Sequence, residues 1–112
     1  MAKSYKHITA NSESAMLSAL KVGPISMYVY AKGSFGNYES GILNDTRCST
    51  SGNHFITLVG YGTNGSGVNY WYARNSWGKS FGLDGHIKLQ RKGENNMGIC
   101  GSQSMTSYPV MA

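Results

Sequence analysis

The stretch from His54 to Asn75 constrains the fold more than any other. NHFITLVGYG (Asn53–Gly62) is an apolar, β-branched run with a histidine at its head, and YWYARNSWG (Tyr70–Gly78) is a second strand pattern. Between them GTNGSGVN carries the Asn-Gly and glycine content of a hairpin loop. Strands joined by such a loop run antiparallel, so His54 and Asn75 come to the same end of the ribbon. There the asparagine carbonyl oxygen can accept from one ring nitrogen and fix the tautomer and tilt of the imidazole. The other nitrogen is left free to exchange a proton with a thiol. Trp77 can cover that hydrogen bond and keep water from it.

The rest of the chain reads as one helix and several short strands. Asn11 or Ser12 can cap a helix running to about Lys21, with Ala15, Met16, Leu17, Ala19 and Leu20 as its apolar face. Gly23-Pro24 ends it. Ile25–Ala31 alternates as a strand, Ile25, Met27 and Val29 on one face and Tyr28 and Tyr30 on the other. Phe35 and Tyr38 are spaced for a single helical turn. The remaining strands are expected at His54–Tyr61, Asn69–Asn75 and Gly85–Gln90, with SMTSYPVMA as a last strand and exit segment. One helix followed by antiparallel strands makes an α+β domain, and 112 residues make one domain. Fifteen glycines against two prolines suit the many turns this needs.

Ten Lys and Arg against five Asp and Glu leave a charge of +5, but scattered singly, with one short cluster at Lys88, Arg91 and Lys92. Such a pattern marks a solvated surface and not a nucleic-acid face. No apolar run has the roughly 20 residues a membrane helix needs, and MAKSYKH lacks a signal-peptide core. Cys48 and Cys100 permit one disulfide, whose loop closure would contribute about 4 kcal/mol. No CxxC or HxxxH spacing suggests a metal site, and no cofactor is implied. Asn44-Asp45-Thr46 and Asn64-Gly65-Ser66 are glycosylation sequons in turn-like stretches, meaningful only in a secreted chain. GKSFG (Gly78–Gly82) fits the serine-hydrolase elbow, yet that elbow requires a strand-to-helix turn in a much larger sheet.

GPIS (Gly23–Ser26), NHFITLVGYG, YWYARNSWGKSFGLDGHIKL (Tyr70–Leu89), MGICG (Met97–Gly101) and SYPV (Ser107–Val110) resemble, in order and spacing, papain-like cysteine proteases of the cathepsin L-like kind. The resemblance covers nearly the whole chain and reaches only the C-terminal half of such an enzyme. It implies the right-hand domain, β-barrel-like with one N-terminal helix, which faces a helical left domain across a cleft. On this resemblance His54 and Asn75 are the catalytic histidine and its orienting asparagine, and Trp77 is their shield. Cys48 and Cys100 match a disulfide within the right domain. Tyr28, Phe55 and Met105 match positions of a substrate subsite. Nothing resembles the QxxxCGSCW-type motif that carries the nucleophile, which the family places in the left domain.

Several residues depart from the family pattern. Asn53 stands where Asp is frequent, Phe55 where a small residue is usual, and Phe81 where a second tryptophan is common. With the large Tyr28, these imply a shallow or reshaped subsite. The resemblance implies a cysteine endopeptidase acting through an acyl-enzyme, with this chain inactive alone and the left domain, peptide or protein substrates and protease inhibitors as partners. The alternatives are a protease half that binds without cleaving and a structural or storage protein that keeps the fold. A lysosomal or secreted setting follows from the resemblance and the disulfide. The isolated domain is expected to expose an apolar face, with the SYPVMA tail loosely held.

Overall fold

The computed structural model describes residues 2–111, and the side chains of residues 6–108. In chain order the elements are strand β1 (Ala2–His7), helix α1 (Glu13–Leu20), strands β2 (Ile25–Val29), β3 (Ile42–Leu43), β4 (His54–Thr63), β5 (Asn69–Arg74) and β6 (His86–Gln90), a 3₁₀ turn at Ile99–Gly101, and strand β7 (Thr106–Met111). The seven strands form a single sheet in the order β1-β7-β2-β4-β5-β6-β3. All neighbours are antiparallel except β3 and β6, which are parallel. This is the expected α+β, barrel-like domain, with its sheet left open between β1 and β3.

Alternation along the strands builds the core. Ile25, Met27 and Val29 point inward from β2, Ile56 and Leu58 from β4, Trp71 and Ala73 from β5, and Ile87 and Leu89 from β6. The register sets these residues opposite one another, Ile25 with Leu58, Leu58 with Ala73, Ala73 with Ile87 and Trp71 with Leu89. One sheet face is therefore continuous and apolar, the arrangement that makes register specific. A bulge at Val59, between the Leu58–Ala73 and Gly60–Tyr72 pairs, turns the outer half of β4 away from that core. Met16 of α1 is fully buried against it, and Ala15, Leu17, Ala19 and Leu20 pack around it half-buried.

The helix begins at the Ser12 cap, whose Oγ accepts from the Ala15 amide at 3.2 Å, and it stops at Leu20, with Lys21 as the C-cap. Of the two candidate caps, Ser12 is the one used. Phe35 and Tyr38 sit in a turn closed by the Asn37 amide on the Gly33 carbonyl, and both are buried. The expected strands are present with small changes of boundary: β2 ends at Val29, β4 runs on to Thr63, and β5 stops at Arg74. Two strands were not expected, β1 and the two-residue β3. Nor is the tail loose: Ser107–Met111 pairs along β1 and, at Ser107, with β2. Backbone hydrogen bonds to two neighbours hold it, while Ala112 lies outside the described residues. Cys48 and Cys100, 52 positions apart, form the disulfide that ties the loop before β4 to the 3₁₀ turn.

Candidate active site

Two ladders bring the site together. At the head of β4 the Asn53 amide donates to the Val29 carbonyl at 2.8 Å, and the Asn53 Oδ1 accepts from Ala31 N at 2.9 Å. The asparagine that departs from the family pattern thus clamps β4 onto β2 one residue before His54. At the end of β5 the Asn75 amide donates to the Gly85 carbonyl at 2.9 Å, fixing it to the turn that leads into β6. The hairpin then places the two side chains in contact, His54 Nε2 lying 2.8 Å from Asn75 Oδ1.

The protons in this contact follow from a neighbour. The Ser76 backbone amide is 2.7 Å from the same Asn75 atom. A backbone N–H can only donate, so that atom is the amide oxygen, and His54 Nε2 must donate to it as well. The neutral ring then carries its proton on Nε2 and leaves Nδ1 as a free base. Asn75 is buried, and its Nδ2 has no acceptor among the described residues.

Trp77 stacks on the His54 ring with centroids 5.3 Å apart and planes at 25°. The indole is itself held edge-on by Phe81 at 5.0 Å and Phe35 at 5.9 Å, with Phe35 and Phe81 stacked on each other at 5.8 Å. Phe35 is read from the sequence only as part of a turn. Its contact with Trp77 spans more than forty residues and leaves no local signal. Gly82, next to Phe81, leaves room for the Tyr38 ring. Its φ is +51°, and a Cβ there would meet the His86 carbonyl at 2.5 Å and the Tyr38 ring at 2.8 Å. Ser80 of the GKSFG segment sits exposed in this turn, with no strand-to-helix elbow around it.

The three subsite candidates gather around Phe55, the residue that follows His54 in β4. Tyr28 and Phe55 are cross-strand partners with ring centroids 4.5 Å apart, and the Tyr28 amide donates to the Met105 carbonyl at 3.0 Å. Gly52 leaves room for the Tyr28 ring, which a Cβ at that position would strike. Phe55 and Met105 are 59% and 48% exposed and wall a groove of about 460 Å³ together with His7, Ser26 and Ser107. Tyr28 does not line it and instead backs Phe55. Both cysteines are in the disulfide, so these 112 residues hold no free thiol. Among the described residues no cluster of three His, Cys, Asp or Glu is placed to hold a metal.

Known proteins resemble the chain along nearly its whole length. The family model for papain family cysteine proteases matches residues 1–110. Vignain of Phaseolus vulgaris is 41% identical over 107 residues, which are 95% of this chain and 29% of vignain. The P34 probable thiol protease of Glycine max is 44% identical over 103 residues, 90% of this chain and 27% of that protein. The structure of the bromelain protease from Ananas comosus in complex with the E64 inhibitor superposes with a TM-score of 0.91 at 37% identity, covering 99% of this chain and 51% of that one. The chain therefore spans less than a third of the length of these two relatives.

Proposed function

The chain belongs to the papain family of cysteine proteases, and we propose that it is the right-hand domain of a two-domain endopeptidase, supplying the base and its orienting asparagine. The observation that carries this reading is the His54–Asn75 contact at 2.8 Å, whose proton arrangement on the neutral ring leaves His54 Nδ1 without a proton. The nucleophilic thiol belongs to a left-hand domain outside these residues.

His54 Nδ1 takes the proton of that thiol, and the thiolate sulfur attacks a peptide carbonyl carbon. The imidazolium then returns its proton to the leaving amine as the C–N bond breaks, giving an acyl-enzyme. In the second half His54 removes a proton from water, the hydroxide attacks the thioester and the thiolate departs. Through both steps Asn75 Oδ1 keeps its bond to Nε2–H, and Trp77 shields that bond from competing water. Phe55 and Met105 wall the proposed subsite, and Tyr28 packs behind Phe55. The partners of this reading are the left domain, peptide or protein substrates and protease inhibitors. The disulfide supports an oxidising setting, lysosomal or secreted.

The test joins this chain to the N-terminal protease domain of vignain and measures hydrolysis of a peptide amide. The chain alone should be inactive and take up no iodoacetamide, and the joined protein should be active. In that protein His54→Ala should lower kcat/KM by roughly 10³-fold and Asn75→Ala by roughly 10²-fold, the range of a positioned acid–base group. An active joined protein indifferent to His54→Ala would overturn the assignment. A well-folded joined protein with no activity would favour the binding module.

A further inference from the structure

We propose that Asn64 is an N-glycan acceptor and that the fold carries the glycan at no cost to its structure. The observation is the geometry of the β4–β5 hairpin tip. Asn64, Gly65 and Ser66 form an Asn-X-Ser sequon, and all three residues are exposed. The Asn64 side chain is held by its oxygen alone, Oδ1 accepting from the amides of Ser66 and Val68, each at 2.9 Å. The turn is closed separately by the backbone, Asn64 N donating to Val68 O at 3.0 Å and Gly67 N to Asn64 O at 3.0 Å. No described residue accepts from Asn64 Nδ2, which is the atom that glycosylation modifies.

The chemistry leaves those contacts standing. The co-reactant is an oligosaccharide activated as a lipid-linked pyrophosphate. Its sugar C1–O bond to the pyrophosphate breaks, a bond forms between C1 and Asn64 Nδ2, and Nδ2 gives up one proton. The product is still an amide with the same carbonyl oxygen, so both hydrogen bonds to Oδ1 persist and the turn is kept.

Position supports tolerance as well. Asn64 follows the last residue of the ten-residue β4, while His54 is its first. At about 3.3 Å per residue the two are separated by roughly 30 Å, so a glycan here stays clear of the site. The other sequon is placed differently. Asn44 Oδ1 is 3.5 Å from Lys92 Nζ, and the next residue, Asp45, is ion-paired with Arg47 at 3.4 Å. The disulfide at Cys48 closes the same loop. The proposal extends the secretory setting proposed above to a named atom, and the experiment supplies that setting so that the two stand or fall separately.

The chain would be produced behind a signal peptide in a eukaryotic secretory host, and its intact mass read before and after treatment with PNGase F. A mass loss, with Asn64 converted to Asp, is expected. In an Asn44→Gln background Asn64→Gln and Ser66→Ala should each abolish it, and both the glycosylated and the deglycosylated chain should show no free thiol and the same near-UV spectrum. Secreted protein with an unmodified Asn64 would overturn the proposal. So would a glycan whose removal changes the spectrum or frees a thiol. Persistence of the whole mass shift in Asn64→Gln with Asn44 intact would move the site to Asn44 and overturn it too.

Discussion

Gln103 is 1% exposed and sits between the core and the loop that follows β6. Its Oε1 accepts from Trp71 Nε1 at 3.2 Å and from Lys92 N at 3.0 Å, and its Nε2 donates to the carbonyls of Gly93 at 2.8 Å and Asn96 at 3.0 Å. All four capacities of the amide are filled, the condition under which a buried polar group is tolerated. Gln103→Leu would strand the indole N–H and three backbone groups, and relaxation would let water reach some of them. We expect a loss of about 2–4 kcal/mol, read from urea unfolding followed by tryptophan fluorescence. A loss under about 0.5 kcal/mol, the level of an ordinary surface change, would show the network to be dispensable. Nothing in SQSMTS marks this glutamine as central, because its partners are brought to it only by the finished sheet. His54 and Asn75 were legible because the hairpin that joins them is local.

Helix α1 depends on a loop far away in sequence. Its N-terminus receives the Glu94 carboxylate, Oε1 accepting from the Ser14 amide at 2.5 Å and Oε2 from the Ser12 hydroxyl at 3.0 Å, while Glu13 Oε1 takes the Gly93 amide at 3.1 Å. The Ser14 amide first, and the serine hydroxyls after it, hold the Glu94 carboxyl below its usual value. A lowered pKa means that the folded chain favours the ionised form. The contribution is therefore fully present above the ordinary glutamate range and is lost as the pH falls through the folded-state value. Glu94→Gln should accordingly lower Tm at neutral pH, and the gap from the unaltered chain should close on acidification. A gap independent of pH would assign the effect to packing and not to charge. The same element shows what sequence patterning carries. The Ser12 cap, the Gly-Pro stop and the apolar face were legible, and so was the inward alternation of β2. By contrast β1 pairs with the opposite end of the chain, and AKSYKH has no alternation to announce it. The two residues of β3 are a strand only because β6 lies alongside.

At the scale of the molecule, the candidate site has an exposed apolar margin, and in the proposed enzyme it is half of a site. Trp77 is 43% exposed although it is wedged against Phe35 and Phe81, and Phe55 and Met105, which wall the groove next to His54 in β4, are about half exposed. Trp77 stacks on His54 and Phe55 follows it in β4, so apolar surface stands exposed next to a polar centre, the arrangement of a surface built to meet another surface. In the proposed enzyme that other surface is the left domain and the substrate between the two. Disulfide closure of the 52-position span and a continuous core both favour folding of this chain by itself. The isolated chain should therefore fold cooperatively and still bind a hydrophobic dye or self-associate at high concentration. Joining it to a left domain should suppress both. Covering the margin is the reason, so the dye signal should fall in the joined protein even when His54→Ala has removed its activity. A chain that stays monomeric and dye-free by itself would mean that Trp77, Phe55 and Met105 need no partner, and the docking half of the proposal would fail while the His54–Asn75 geometry stood.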